Sequence, residues 1–109
     1  MNIERIRKVT SSYTDSLLEA LKDPEEADAY LESALEAYEE DGETRALLLA
    51  IGTLTQAQGG IGVLAKRVSV SRQHLYDMLA SKHNPRLDTL LSIISALGFR
   101  LRLESRERK

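Results

Sequence analysis

The residues of this sequence whose types and spacing could do chemistry lie between Gly60 and Leu79. The apolar pattern there predicts two short helices joined by a tight turn, and it leaves Arg72, Gln73 and Asp77 on the outside of the second helix. Guanidinium, amide and carboxylate groups form hydrogen bonds with base edges in the major groove of DNA. The segment therefore predicts a helix-turn-helix whose second helix reads DNA.

Candidate DNA contacts fall into two groups. Most of the exposed side chains on the second helix are candidates for base edges. His74 on that helix, together with residues near its edges, is a candidate for phosphates, which position a protein without specifying sequence. The base-edge candidates are Ser71, Arg72, Gln73, Tyr76 and Asp77, and the phosphate candidates are Gly62, Lys66, Arg67, His74, Lys82, Asn84 and Arg86. Each is also compatible with a solvated surface position, and Tyr76 with a cover over the core.

A shared core is needed to hold that outer surface in place. Ala65 is small enough to let the second helix approach closely, and Ser71 is expected to cap that helix. Ser69 opens the turn, where serine carries a steric cost if φ is positive, so a slightly remodelled turn is expected. The residues expected to share the core are Leu64, Val68, Val70, Leu75, Met78 and Leu79.

The composition favours an all-α protein. The chain has 109 residues, 42% of them hydrophobic, with one Phe, no Trp and two Pro, so its core must be built from Leu, Ile, Val and Ala. It has no cysteine, and no apolar run reaches the length that spans a membrane. We expect a cytoplasmic protein without disulfides.

Catalytic motifs do not occur in the sequence. It has no phosphate loop, nucleophile elbow or metal-ligand spacing. His74 and His83 are the only histidines, which is too few for a zinc site without cysteine. We expect neither an enzyme nor a protein that binds a metal or another cofactor.

Charge divides the chain into two halves. Residues 1–43 contain 4 Lys/Arg and 13 Asp/Glu, a balance of −9, whereas residues 44–109 contain 11 and 4, a balance of +7. The basic half suits a phosphate backbone. The acidic half is repelled by DNA, so it is expected to project from the duplex or to cover a basic protein surface. A solvated helix face is the alternative.

Apolar spacing and capping signals predict a bundle of five to six helices. Outside the helix-turn-helix, helices are predicted at residues 13–21, 24–40, 43–57 and 87–96. The strongest start signal is Asp23 as N-cap followed by Pro24. The last helix is expected to bury Leu87, Leu90, Leu91, Ile94 and Leu97.

Residues 99–103 alternate apolar and basic side chains, which predicts a short C-terminal strand. A lone strand needs a partner, and pairing with the same strand of a second chain would form a dimer. A frayed basic tail is the alternative.

Residues 60–97 resemble the helix-turn-helix of the phage-repressor/Cro type, the XRE family. The shared order is an Ala-containing helix, a turn, a recognition helix with Arg and Gln, an Asn-Pro loop and a Leu-rich helix. The sequence departs from that pattern at Ser69, where glycine is usual, and at Ile61, where a polar side chain often contacts phosphate. Main-chain amides beside Gly62 are expected to take over that contact.

Most of the chain also resembles the addiction-module antidote proteins of the HigA type. This resemblance implies an antitoxin that neutralises a small toxin of the RelE/ParE superfamily and binds operator DNA to repress its own operon. A single recognition helix reads only a few base pairs, so a homodimer is expected. The segments that carry the resemblance are LEALKDPEEA at 18–27, YL at 30–31, QAQGG at 56–60, LA at 64–65, LY at 75–76, NPRL at 84–87 and ALG at 96–98.

The implied toxin would meet the acidic half. A toxin that cleaves RNA needs a basic surface, which dense carboxylates complement, while apolar side chains beside them would supply affinity. The competing explanation is that these apolar residues fill the chain's own core. The toxin-binding candidates are Leu17, Leu18, Leu21, Glu25, Glu26, Tyr30 and Leu31.

Three regions of one compact domain follow from these inferences. Residues 1–42 form an acidic, toxin-facing helical region, residues 43–98 the DNA-binding region, and residues 99–109 a strand or tail that could join two copies. The alternative function is a stand-alone XRE-type transcriptional repressor without a toxin partner. A small basic open reading frame beside the gene would favour the antitoxin.

Overall fold

Six helices account for most of the part of the chain that the computed structural model describes, residues 13–80 and 84–106. α1 covers residues 13–20. The other helices are α2 (Pro24–Asp41), α3 (Thr44–Ala57), α4 (Ile61–Val68), α5 (Arg72–Ala80) and α6 (Leu87–Ala96). The all-α prediction is confirmed, and the predicted ends of α2, α3 and α6 agree within one residue.

α2 begins and ends where local chemistry predicts. The Asp23 side chain accepts a hydrogen bond from the Glu25 N–H at 3.0 Å, and Pro24 follows as the first helical residue, where its missing N–H costs nothing. Gly42 ends the helix in the left-handed conformation, with φ 68°. Its N–H donates to the Tyr38 carbonyl at 2.7 Å, which satisfies one of the last carbonyls of the helix.

α3 is the central helix of the fold. It packs against α2, α4 and α5, and α4 in turn packs against α5 and α6. Ile51 and Leu54 on α3 have no exposed surface, and full burial of one such side chain contributes about 1.5–3 kcal/mol. Leu64 and Leu75 are buried in the same core, as expected. Half-buried residues that pack against it include Val68, Val70, Met78 and Leu79, also as expected.

Among the described residues, no single helix is long and apolar enough to cross a membrane. α3 and α4 reach that length and composition only when taken together, and they are bent by 100° at their junction. Most of the apolar residues of α3 are buried.

α6 turns a different face to the core from the one that was predicted. Ile94 and Leu97 are buried as expected, but Leu87 is 68% exposed and Leu91 39% exposed, so their predicted burial was wrong. Ile93 is buried instead. Apolar residues lie on nearly every side of this helix, so their spacing alone could not select the inner face.

The predicted C-terminal strand is not present in the described residues, and residues 99–106 have no regular secondary structure. The Phe99 N–H donates to the Ile94 carbonyl at 3.1 Å, and the Phe99 side chain packs against the core. Beyond that point the chain is exposed, and Leu103 is completely so. A strand requires a pairing partner, and residues 13–80 and 84–106 include no other strand. Residues 107–109 lie outside the described residues.

Residues 69–71 join α4 to α5. Ser69 lies in the left-handed region, with φ 57° and ψ 43°. The Val70 N–H donates to the Ala65 carbonyl at 3.1 Å. The same type of hydrogen bond ends helices that have a glycine in the left-handed conformation. The turn therefore keeps the left-handed geometry that glycine normally supplies, so the expected remodelling is wrong and the steric cost of serine applies.

Ser69→Gly is expected to stabilise the fold by about 0.5–1 kcal/mol, because glycine removes the clash of Cβ in the left-handed conformation. Part of this gain is offset, because glycine also raises the conformational entropy of the unfolded chain. Urea unfolding followed by circular dichroism measures the change. Ser71→Gly is the matched control. The Ser71 hydroxyl oxygen accepts from the His74 N–H at 3.0 Å, so loss of this cap should cost about a few tenths of a kcal/mol. A Ser69→Gly protein less stable than the parent would contradict the strain assigned to this turn.

Candidate nucleic-acid interface

α5 exposes a set of side chains that we call the α5 surface. Leu75 is fully buried and anchors the helix to the core. Ser71 caps the helix as expected, and its hydroxyl hydrogen remains available as a donor. The members of the α5 surface are Arg72, Gln73, His74, Tyr76 and Asp77.

Two of these residues form a pair along the helix. Gln73 Nε2 donates to Asp77 Oδ1 at 2.9 Å. A carboxylate only accepts hydrogen bonds, so the amide nitrogen must be the atom that faces it. The pair therefore fixes which end of the Gln73 amide is turned away from Asp77.

The side chain of Arg72 lies beside the first turn of α4. A Cβ at Gly62 would be 3.4 Å from Arg72 Nε and 3.7 Å from its Cζ. No side chain caps α4, and the first N–H groups of a helix have no partner within the helix. A guanidinium beside such groups is an arrangement suited to an anion. The structure thus brings together an expected base reader and an expected phosphate contact.

Arg67, an expected phosphate contact, forms hydrogen bonds within the chain. Its Nη1 donates to the Ala96 carbonyl at 3.2 Å and to Gln58 Oε1 at 3.3 Å. Gln58 Nε2 in turn donates to the Leu97 carbonyl at 2.7 Å. These bonds fasten α4 to the C-terminal end of α6. The local sequence does not indicate this role of Gln58, because its partners are 9 and 39 residues away.

Asn84 and Arg86 also have partners within the chain. Asn84 Oδ1 accepts from Thr44 Oγ1 at 3.0 Å, which links the residues before α6 to the start of α3. Arg86 forms an ion pair with Asp88, through Nε–Oδ1 at 3.2 Å and Nη2–Oδ2 at 3.3 Å. Both side chains of this pair are well exposed.

Of the other phosphate candidates, some are among the described residues and one is not. Lys66 and His74 are exposed, and Lys82 lies outside the described residues. Phosphate contact stays a prediction for every member of that group.

Tyr76 lines a groove of about 500 Å³ between α3 and α5. Its side chain is 59% exposed and is not part of the core. The alternative in which Tyr76 covers the core is therefore wrong, while DNA contact stays a prediction. Leu49, also on the wall of this groove, is 73% exposed.

α2 carries a dense acidic surface. The helix has eight Asp/Glu and no Lys or Arg. None of these carboxylates forms an ion pair within residues 13–80 and 84–106. The exposed carboxylates, which we call the acidic surface of α2, are Glu25, Glu26, Asp28, Glu32, Glu36, Glu39, Glu40 and Asp41.

The structure separates the apolar toxin-binding candidates into two groups. Leu21 and Leu31 are each 4% exposed and belong to the core. For these two residues the competing explanation, packing within the chain, is the one the fold supports, because a partner could reach them only by opening the core. Leu17, Leu18 and Tyr30 are half-buried at its edge and retain exposed surface.

Residues that follow α6 approach the acidic surface of α2. Arg100 and Arg102 line a cleft of about 340 Å³ together with Asp28 and Glu32. The apolar lining includes Leu35. The cleft is therefore lined by opposite charges and by apolar side chains.

Arg67→Ala is expected to lower the free energy of unfolding by about 1 kcal/mol, because two charge-assisted hydrogen bonds to α6 and Gln58 are lost at a site open to water. The neighbouring Lys66→Ala change should stay within about 0.5 kcal/mol, since an exposed lysine without packing contributes little. Thermal and urea unfolding of both variants measure the difference. Equal stabilities would show that the bonds from Arg67 do not hold α4 to α6.

Comparison with known proteins gives one family. A family model described as "Probable addiction module antidote protein" matches residues 12–105. No curated protein and no solved structure matches the chain. The match spans the acidic surface of α2 as well as the α4–α5 segment, and it covers most of the sequence. The chain therefore belongs to the family of probable addiction module antidote proteins.

Proposed function

We propose that this chain is the antitoxin of a type II toxin-antitoxin module, and that it neutralises a toxin of the RelE/ParE superfamily and binds operator DNA to repress its own operon. Membership of the antidote family supports an antitoxin role and a toxin partner in general. The observation that carries the finer proposal is that α3 packs against both α2, with its acidic surface, and α5, with its exposed hydrogen-bonding side chains.

The acidic surface of α2 is the proposed site for the toxin. A protein that acts on RNA presents basic groups, and they are complemented by the eight carboxylates of α2, none of which forms an ion pair within the described residues. Charges at the edge of an interface mainly raise the association rate, whereas desolvated apolar groups slow dissociation. Leu17, Leu18 and Tyr30 keep exposed surface beside α2, so they are the apolar contacts we propose, together with Tyr38, which is 39% exposed.

The α5 surface is the proposed site for DNA. Gln73 has the amide that pairs with adenine in the major groove. Arg72 remains a proposed base contact, and its position beside the uncapped N-terminus of α4 would also suit a phosphate. Lys66 adds an exposed cation on α4. These features support a recognition helix positioned by contacts to the DNA backbone.

Residues 99–103 are the proposed contact between two copies. Leu101 is 46% exposed and Leu103 completely exposed, although both are apolar. The segment forms no strand within the described residues. Packing against the same segment of a second copy would cover these leucines.

The toxin surface is tested by the double change Glu25→Gln with Glu26→Gln. We expect association with the proposed toxin, a small basic protein of the RelE/ParE superfamily, to slow by about three- to tenfold at low salt, with little change in dissociation. Surface plasmon resonance at two salt concentrations measures both rates, and Glu104→Gln, outside α2, is the control. Association rates unaffected by the double change would exclude the start of α2 from the interface.

DNA reading is tested with duplexes from the region upstream of the gene and with scrambled duplexes of equal length. Gln73→Ala is expected to weaken binding to the upstream duplex by about 1–3 kcal/mol and to change binding to the scrambled duplex little. Lys66→Ala should weaken binding to both duplexes equally. It should also lower the slope of log K against log salt concentration by about one, the contribution of one phosphate contact. If Gln73→Ala weakened both duplexes equally, Gln73 would be a backbone contact.

The dimer contact is tested by Leu101→Ser combined with Leu103→Ser. Both side chains are exposed in the single chain, so the fold should be retained by circular dichroism while the two copies separate. Sedimentation at low micromolar concentration should find a dimer for the parent and a monomer for the variant. A variant that remains dimeric would move the interface to the helices before Gly42.

A further inference from the structure

We propose that Asp77 is a positioning residue that makes Gln73 selective for adenine, an inference that rests on the proposed DNA-binding function. Gln73 and Asp77 are one helical turn apart and both exposed, and the Gln73 amide donates to the Asp77 carboxylate at 2.9 Å. Asp77 forms no ion pair within the described residues. Its side-chain hydrogen bond there is the one from the Gln73 amide.

The hydrogen bond fixes the orientation of the amide. A free glutamine side chain can present either its oxygen or its nitrogen to a base. Here the nitrogen must face Asp77, so one of its two hydrogens is used, and the carbonyl oxygen and the second hydrogen remain. Adenine offers the N6 amino group as donor and N7 as acceptor, and these match one acceptor and one donor.

The same arrangement disfavours guanine. Guanine presents two acceptors, O6 and N7, in the major groove. The oriented amide has a single free donor, and a carboxylate held beside it repels both acceptor atoms. Asp77 therefore acts against the wrong base as well as for the right one, which is how specificity is often obtained.

The charge of Asp77 points to the same role. A carboxylate on a helix that approaches DNA opposes the phosphates and lowers affinity for every sequence. Such a residue is useful to a DNA-binding protein only if it improves the difference between sequences. Arg72 lies along the first turn of α4 and forms no ion pair with Asp77 in the described residues, so the negative charge remains at the α5 surface.

The test is a double-mutant cycle on sequence preference. The full chain and the variants Asp77→Asn, Gln73→Ala and the double variant are each used to select sites from a pool of randomised duplexes at one salt concentration. A bidentate contact carries about 5- to 150-fold discrimination between bases. An asparagine amide in place of the carboxylate can both donate and accept, so it permits either orientation of the Gln73 amide. We expect Asp77→Asn to reduce the adenine preference at one base pair by about fivefold while raising affinity for all duplexes.

In the Gln73→Ala background the effect on base preference should disappear, leaving only the uniform gain in affinity. If Asp77→Asn raised affinity equally for all sequences in both backgrounds, Asp77 would be a charge and nothing more, and the inference would be wrong. If the preference changed equally with and without Gln73, Asp77 would contact the base itself, which also overturns it. A parent chain that enriches no sequence at all would instead reject the proposed DNA-binding function.

Discussion

Burial of the apolar side of α3 is the constraint on which the rest of the fold depends. Ile51 and Leu54 are fully enclosed, and the same helix contacts α2, α4 and α5. Each enclosed side chain contributes about 1.5–3 kcal/mol, so the loss of one is large against a net stability of about 5–15 kcal/mol for a domain. α2 is therefore part of the core and not a detachable arm, because its Leu31 shares that core with α3.

The charges of α2 require a different explanation, because exposed charges contribute little to folding. An exposed ion pair is worth about 0–1 kcal/mol, and the α2 carboxylates form none within the described residues. Glu39, Glu40 and Asp41 lie at the negative end of the helix dipole, where each costs about 0.3–1 kcal/mol. Such a surface lowers the stability of the free chain, and a basic partner would offset that cost. This agrees with membership of an antidote family.

The sequence predicted what depends on neighbours along the chain and missed what depends on distant ones. Asp23 and Ser71 cap their helices as expected, because a cap is decided within four residues. The contacts of Arg67 with Ala96 and of Asn84 with Thr44 span 29 and 40 residues, and no local pattern indicates them. The prediction of a C-terminal strand was wrong for a related reason, because alternating apolar and polar residues form a strand only when a partner strand is available. The orientation of the Gln73 amide, in contrast, arises one turn away, and attention to the spacing of 73 and 77 would have found it.

Growth rescue tests the antitoxin function most directly. The proposed partner, a RelE/ParE-superfamily protein whose gene adjoins the gene for this chain, is expressed at a level that arrests growth, and the full chain is then induced from a second promoter. Restored growth, together with a complex of the two proteins that survives purification, is the predicted result. A chain that represses its own promoter but neither restores growth nor forms that complex would be a stand-alone repressor, and the antitoxin function would be contradicted.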